Sequence, residues 1–295
     1  MDNTTDVEVS IENRVAGTFF IILSLISIIG NTVFPLLVIW NKKHRDNPTY
    51  IFLINLSIAD CILSIPIGLA IGIFSIWPDA KIKAELMVTM LLFGWYSSGY
   101  FSLLVALTRL LALKNSTIHR NLAANRCSKI YVVVIFVWTA IAGLCFVFSL
   151  LPGPEKLVYL RKLYMYNVDL NCVQGLAVIY FNTVHDIFVS VGIIIMNTIS
   201  ISHIRSKVHA LTQSFSNSRA YKLEVKLFFQ CLITNGLLVL VCFMYTMFFF
   251  MGYIMSSGMV LSMNLCWISY HASFPYIYLL TNKDFRAMLM KLTKC

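Results

Sequence analysis

Several ionisable side chains lie inside long apolar segments of this sequence, where an uncompensated charge is costly. Arg109 follows residues 86–107, which contain no charged residue, while Asp60 and the pair His185 and Asp186 interrupt other apolar runs. An arginine or aspartate at the centre of a bilayer costs about 2.5–3.5 kcal/mol on insertion scales, so such a residue needs a cavity or a partner. We therefore expect roles for Arg109 and Asp60, and a lipid-facing side chain whose charged end extends to the water interface is the alternative for Arg109. For Asp186, pairing with neighbouring polar groups is the alternative to ligand contact.

The segments that position these residues are long and apolar enough to cross a membrane. Of the 295 residues, 59% are hydrophobic and 12% charged, whereas a soluble domain has about a quarter of its residues charged. Runs of about 18 or more apolar residues predict membrane-spanning helices. We expect an all-α membrane protein, a seven-transmembrane helix bundle, forming one domain over 1–295. The expected elements are a tail at 1–15, helices at about 16–40, 50–77, 86–113, 128–151, 175–203, 223–253 and 259–280, and an amphipathic membrane-surface helix at 282–293.

The distribution of basic residues predicts which side of the membrane each loop faces. Segments 41–49, 114–129, 204–226 and 281–295 hold sixteen of the 23 Lys and Arg residues, the other loops hold six, and Arg109 is the remaining one. Cytosolic loops carry the excess of Lys and Arg, so we expect an extracellular N-terminus and a multi-pass protein of the plasma membrane. The net charge of +10 then marks a face near anionic lipid rather than a nucleic-acid partner.

Short motifs predict two modifications and no catalysis. Asn3 begins an Asn-Thr-Thr sequon in the extracellular tail and is a glycosylation candidate. Cys295 is a palmitoylation candidate on the cytosolic side. The sequence contains no HExxH, GxSxG or P-loop pattern and no paired intramembrane acids. We therefore expect no enzyme activity, no cofactor and no metal site.

Polar and special residues recur in a definite order along the predicted helices. Asn31 and Asp60 lie midway through the first and second helices, and Asn31 is the candidate partner of Asp60. Pro275 kinks the last helix unless neighbouring groups compensate. The order resembles that of rhodopsin-like G-protein-coupled receptors over nearly the whole chain. The matching residues are Gly30-Asn31, Asn55, Ala59-Asp60, Arg109, Trp138, Pro275, Tyr278 and Phe285-Arg286.

A narrower resemblance rests on residues 224–230, EVKLFFQ, and on Trp267 with His271. These residues are similar to those of the nematode serpentine chemoreceptors, class x especially. The resemblance implies a chemosensory or orphan receptor that converts the binding of an extracellular ligand into activation of a heterotrimeric G protein. We expect His271 to be a hydrogen-bonded core histidine that shares a polar core with Asn31 and Asp60.

The same resemblance assigns residues to G-protein coupling and activation. Arg109 corresponds to the arginine that holds the third helix to the sixth in the inactive state and meets the G protein in the active state. Glu224 is its nearest candidate counter-charge. Thr108 stands where the resemblance leads us to expect an acidic residue, so one local restraint is absent. Pro275 and Tyr278 are assigned to the same machinery.

Other positions depart from the pattern of the resemblance. Ala84 stands where a cysteine is usual, so we expect the usual bridge to Cys172 to be absent. In many similar receptors the aspartate that matches Asp60 helps to bind sodium. Here Phe274 replaces the usual asparagine and Gly99 contributes no side-chain oxygen, so we expect weak or absent sodium sensitivity.

The outer halves of the third, fifth, sixth and seventh helices are expected to line a ligand pocket. Leu91 stands where aminergic receptors carry an aspartate, and no lysine lies between Ser257 and Asn282. These features argue against a biogenic amine and against retinal as ligands. The candidate pocket residues are Leu91, Trp95, Tyr96, His185, Asp186, Tyr245, Phe249, Asn264 and Trp267, with ordinary packing as the alternative for each aromatic side chain.

A seven-helix transporter or channel is the alternative function. Transporters often contain two related halves with broken helices, and this sequence shows no internal repeat. The sequence therefore favours the receptor and identifies neither its ligand nor its G-protein subtype.

Overall fold

The computed structural model describes residues 10–41, 47–77, 80, 82–114, 128–152, 159–160, 164–166, 171–210, 219–251 and 256–292. Within these ranges, the side chains of 128, 207–210, 219–224, 249–251, 284 and 291–292 are outside the description. Asn3 and Cys295 therefore lie outside the described residues, and so do the side chains of Glu224 and Phe249.

The described residues form eight helices and one short antiparallel hairpin. Seven long helices build the expected all-α seven-transmembrane bundle. The elements are α1 Ile11–Trp40, α2 Pro48–Ile76, α3 Ala84–Lys114, α4 Ser128–Leu150, β1 Tyr159–Leu160, β2 Met165–Tyr166, α5 Val173–Ala210, α6 Arg219–Met251, α7 Ser257–Thr281 and α8 Lys283–Leu292. α5 and α6 extend several residues beyond the expected apolar runs, because a helix does not have to end where it leaves the apolar layer.

An interruption in α2 is not predicted by the sequence. The α-helical parts Pro48–Ser64 and Ile71–Ile76 flank a π-helical turn at Ile65–Ala70. Pro66 lies in that turn, and because proline lacks an N–H and crowds the preceding turn, a π-bulge accommodates it. The hydroxyl of Tyr166 in β2 donates to the Pro66 carbonyl at 3.1 Å, which fastens the hairpin to this part of α2.

The composition of α7 differs from that of the other long helices. In the described part of the chain, α1 to α6 each contain a segment long and apolar enough to cross a membrane. α7 does not meet the same apolar threshold although it has 25 residues. Its polar side chains Asn264 and His271 are buried within the bundle. α7 is therefore a spanning helix whose Asn264 and His271 side chains face other helices and not lipid.

Glycines let α1 approach its neighbours closely. A Cβ on Gly17 would lie 2.8 Å from the carbonyl oxygen of Gly72 in α2, and a Cβ on Gly72 would lie 2.7 Å from the carbonyl oxygen of Gly17. A Cβ on Gly30 would lie 2.8 Å from Cγ of Pro275 in α7. Small residues at helix contacts are the usual means of close packing in membranes. These contacts fix α1 against both α2 and the proline segment of α7.

Candidate functional site

A cavity of about 130 Å³ lies between α2, α3, α5, α6 and α7. The hairpin residues Tyr164, Met165 and Tyr166 form part of its wall. The other lining residues are mostly apolar and include Ile71, Val88, Leu92, Val178, Ile179, Val260 and Met263. Six of the pocket residues expected from the sequence also line it: Leu91, Trp95, Asp186, Tyr245, Asn264 and Trp267.

The carboxyl group of Asp186 lies in the cavity wall, and three side chains hold it. Its Oδ1 accepts a hydrogen bond from Nε1 of Trp95 at 2.9 Å and lies 3.0 Å from Nδ1 of His185. Its Oδ2 accepts from Nδ2 of Asn182 at 3.2 Å. A buried carboxylate requires such partners, because burial without them is costly. The predicted alternative of pairing with neighbouring polar groups thus describes the observed contacts of Asp186.

Two further pocket candidates lie behind the cavity wall. His185 packs against the rings of Tyr96 and Tyr100, with ring centroids 5.0 and 5.2 Å away. Tyr96 is fully buried and its ring also contacts Phe181. Tyr96 and His185 are therefore not lining residues of this cavity and support its wall from behind, and a ligand contact for either of them stays a prediction. The sequence shows which residues share a helix but not the rotation of the helix.

Gly99 provides the space that His185 occupies. A Cβ on Gly99 would lie 2.6 Å from Nε2 and 2.7 Å from Cε1 of His185. Any larger side chain at this position has to displace the imidazole ring. Because that ring also contacts Asp186, Gly99 contributes indirectly to the arrangement of the pocket carboxylate.

A second buried carboxylate, that of Asp60, lies deeper in the bundle. Its Oδ1 lies 2.7 Å from Nδ1 of His271 in α7, and both side chains are 0% exposed. The same oxygen accepts a hydrogen bond from the Ser98 hydroxyl of α3 at 2.8 Å. α2, α3 and α7 are thus joined at one carboxylate, as expected for an intramembrane acid that needs compensation.

The structure corrects two details expected at this core. Asn31 does not bond the Asp60 carboxylate: its Nδ2 donates to the backbone carbonyls of Ser27 and His271, both at 3.0 Å. The third helix does supply a hydroxyl, from Ser98 rather than from the adjacent Gly99. Consecutive residues of a helix point about 100° apart. Position 98 therefore directs its side chain toward the Asp60 carboxylate, whereas position 99 does not.

Trp95 connects the cavity to the Asp60 core. Its ring centroid lies 6.2 Å from that of His185 and 6.0 Å from that of His271. It also meets Trp267 edge-on at 5.2 Å. One aromatic side chain therefore contacts the histidine beside each of the two buried carboxylates. A change in the position of Trp95 would therefore alter the surroundings of both His185 and His271.

The hairpin covers the cavity at the end of the bundle where α1 begins. The Tyr164 hydroxyl donates to Oδ1 of Asn13 in α1 at 2.8 Å, and the Tyr164 carbonyl accepts from Nδ2 of Asn264 in α7 at 2.9 Å. Burial, aided by the charge of Glu12, raises the pKa of the Tyr164 hydroxyl above its ordinary value. The hydroxyl therefore remains a neutral donor at physiological pH. The sequence does not predict this hairpin, because each of its strands has only two residues.

Arg109 lies toward the other end of α3 and is 1% exposed. Its charge interacts with the Tyr278 hydroxyl of α7 and the Cys231 thiol of α6. The neighbouring Thr108 hydroxyl accepts a hydrogen bond from the Thr49 hydroxyl of α2 at 3.2 Å. Arg109 is therefore a buried cation at the junction of α3, α6 and α7, and not a lipid-facing side chain whose charged end extends to the water interface.

Aromatic rings occupy the region around Pro275. Phe274 and Tyr278 of α7 contact Phe34 of α1, with ring centroids 5.5 and 5.7 Å apart. Phe34 also meets Phe285 of α8 at 5.5 Å, which anchors α8 to the bundle. Phe274 therefore replaces a polar contact with apolar packing.

A hydrogen bond joins α4 to α2. The Trp138 indole donates to Oδ1 of Asn55 at 2.9 Å.

Comparison with known protein families identifies the class of this chain. The sequence model of the family described as serpentine type 7TM GPCR chemoreceptor Srt matches residues 2–295. No curated protein matches the chain. The chain belongs to the Srt family. It is a chemosensory G-protein-coupled receptor, and the expected similarity to nematode serpentine chemoreceptors is confirmed, with the class corrected from class x to Srt.

Proposed function

We propose that this Srt chemoreceptor binds its ligand in the cavity beneath the hairpin and activates a heterotrimeric G protein at the Arg109 end of the bundle. The observation that supports this most strongly is the arrangement along α3. Leu91 and Trp95 line the cavity, whereas the charge of Arg109 acts on Cys231 of α6 and Tyr278 of α7. At 1.5 Å per residue, about 27 Å of helix separates Leu91 from Arg109.

The path of the signal follows the buried contacts. A ligand in the cavity displaces Trp95, whose ring adjoins His271 and so reaches the Asp60 core that joins α2, α3 and α7. Movement of α7 relative to α3 then changes the surroundings of Arg109. We assign G-protein coupling to Arg109 and Thr108, with Glu224, Pro275 and Tyr278 as further members of the coupling region.

The orientation we propose places the N-terminus and the hairpin outside the plasma membrane. The excess of Lys and Arg in the loops near Arg109 supports this direction. The anionic lipid of the inner leaflet is then a natural neighbour of the basic loops. Glycosylation at Asn3 and palmitoylation at Cys295 agree with the same orientation and stay predictions. Membership of a receptor family supports the absence of enzyme activity.

The proposed function can be tested with purified receptor, a heterotrimeric G protein and a panel of small organic molecules. We expect some panel members to accelerate GTP exchange. Leu91→Trp fills the cavity and should abolish the response, whereas Leu86→Trp, at a 54% exposed position of α3, should retain it. If panel members drove a flux across receptor-containing vesicles without GTP exchange, the transporter alternative would replace the proposal. Equal responses of the two tryptophan variants would show that the ligand binds elsewhere.

A further inference from the structure

We propose that the ligand is an uncharged, lipophilic molecule that enters the cavity from the bilayer, between α6 and α7 and past the side chain of Met263. The inference rests on the proposed function, because it concerns the ligand of the same cavity and adds the route by which that ligand arrives. It follows from a groove on the outer surface of the bundle, from one side chain that groove and cavity share, and from the fastening of the hairpin.

An apolar groove of about 480 Å³ lies between α6 and α7. Phe243 and Met247 of α6 and Met259 of α7 line it and are 56%, 37% and 49% exposed. In a membrane-spanning bundle, such exposed side chains face lipid. The two serines of the groove are already bonded: Ser262 donates to a carbonyl of its own helix, and Ser256 accepts from the backbone N–H of Met259. The described wall of the groove therefore presents hydrocarbon and thioether surface to the bilayer.

The side chain of Met263 lies between this groove and the ligand cavity. Met263 lines both spaces and is 3% exposed. Its neighbours on α7 divide between the two spaces, since Val260 lines the cavity and Met259 lines the groove. A methionine side chain is unbranched and has three rotatable bonds, so its thioether can move aside while the backbone of α7 stays in place. Rotation of this one side chain joins the cavity to the lipid-facing groove.

Entry from the aqueous side, through the hairpin, requires the loss of several hydrogen bonds. The Tyr164 hydroxyl bonds Asn13, the Tyr164 carbonyl accepts from Asn264, and the Tyr166 hydroxyl bonds the Pro66 carbonyl. Each of these bonds stabilises the closed position of the hairpin. A thioether sulfur is at most a weak acceptor, so its rotation forfeits little. The route between α6 and α7 therefore opens at the lower cost.

The chemistry of the route and of the cavity favours an uncharged ligand. A charged molecule would have to leave water for the hydrocarbon of the groove, which is costly, whereas a lipophilic one is already dissolved in the bilayer. Ile71, Leu92 and Val260 present hydrocarbon inside the cavity, and the carboxyl group of Asp186 already has three partners. The cavity volume is about 130 Å³, and an apolar cavity of about 150 Å³ binds benzene, so a ring of about six carbons fits.

Fluorobenzene is a probe of this size and tests the route on the full chain in lipid nanodiscs. Its ¹⁹F NMR signals distinguish lipid-dissolved from receptor-bound probe, and saturation transfer between them gives the exchange rate without any G protein. Leu91→Trp fills the cavity and should remove the bound signal, which assigns that signal to the cavity.

Replacements of two methionines identify the route. Met263→Ala removes most of the partition and should make exchange about tenfold faster, which corresponds to about 1.4 kcal/mol of the barrier. Met165→Ala is the matched control, because Met165 belongs to the hairpin and lines the same cavity; it should leave the rate nearly unchanged. Met263→Ile keeps a similar volume but has one strongly preferred χ1 rotamer in a helix, so it should slow exchange. Because substitutions that conserve volume are tolerated best, this variant tests the route even if Met263→Ala does not fold.

The inference fails if Met165→Ala accelerates exchange as much as Met263→Ala, because the probe would then enter beneath the hairpin. Unchanged exchange in Met263→Ile would likewise exclude Met263 as the partition. A bound signal that is absent from the wild type, or that persists in Leu91→Trp, would overturn the proposed ligand class for this cavity. These outcomes are distinct from a failure of GTP exchange. The expected exchange rates in a receptor that activates no G protein would leave the route standing and overturn the proposed function.

Discussion

Replacing His271 with asparagine tests whether the contact between His271 and Asp60 is an ion pair that stabilises the bundle. The two side chains meet at 2.7 Å with 0% exposure. Removing one partner of a buried pair typically costs about 3–5 kcal/mol, because an uncompensated charge remains. A neutral hydrogen bond contributes only about 0.5–1.5 kcal/mol. We expect the larger cost, since a carboxyl group at this depth needs a compensating partner.

The assay is thermal unfolding of purified receptor in one detergent for the wild type, His271→Asn, Asp60→Asn and the double variant. A loss of 1 kcal/mol lowers the melting temperature by about 2–4 °C in chains of 150–250 residues, so each single variant should melt roughly 6–20 °C lower. The double variant should recover much of that loss. Ser98→Ala, which removes a hydroxyl donor to the same carboxylate, should cost about 1.5–3 kcal/mol.

Additivity of the two single changes would refute this reasoning, because independent losses mean that the partners do not interact in the native state. A loss below about 1.5 kcal/mol in both single variants would show that the contact is a neutral hydrogen bond.

Three further expectations follow from described contacts. Gly99→Ala should lower the free energy of unfolding by about 1–3 kcal/mol, because the added Cβ would meet His185. The control Gly143→Ala, at a position with nothing within 4 Å, should leave the free energy of unfolding unchanged or raise it. Equal melting temperatures of the two variants would contradict this expectation. Arg109→Met preserves the buried stem and should abolish GTP exchange at normal surface expression, and retained exchange would exclude a coupling role. Exchanging sodium for a bulky organic cation at fixed ionic strength should leave the melting temperature unchanged, because Oδ1 of Asp60 already contacts His271 and Ser98. A stabilisation by sodium that disappears in Asp60→Asn would contradict this expectation.

The helical architecture was predictable because the bilayer imposes a length on each apolar segment and the basic loops indicate a direction. That Asp60 and Asp186 have polar partners was also predictable, since a carboxyl group inside an apolar segment needs one. The sequence did not identify which residues are their hydrogen-bond partners. Asn31 lies at the expected depth but bonds the backbone of His271, and the carboxylate of Asp60 contacts the His271 side chain.

The unpredicted features depend on helix rotation or on contacts between distant segments. Ser98 and Gly99 are adjacent in sequence, yet only Ser98 bonds Asp60, while Gly99 adjoins His185. The hairpin gave no pattern long enough to detect, because each of its strands has two residues. The side chain of Tyr164 finds its partner 151 positions earlier in the chain, at Asn13.

The attachment of the hairpin to α7 has a consequence for how receptors of this kind diversify. Asn264 bonds the backbone carbonyl of residue 164 and not its side chain, so that bond is available whichever amino acid stands there. Tyr164 has φ 50°, a conformation that glycine and asparagine adopt more readily, so these substitutions also relieve backbone strain. A substitution at residue 164 would thus change the wall of the cavity and remove the bond to Asn13 of α1, while the bond from Asn264 of α7 persists. Under the proposed function, a single substitution at this position would change ligand preference without detaching the cover from α7.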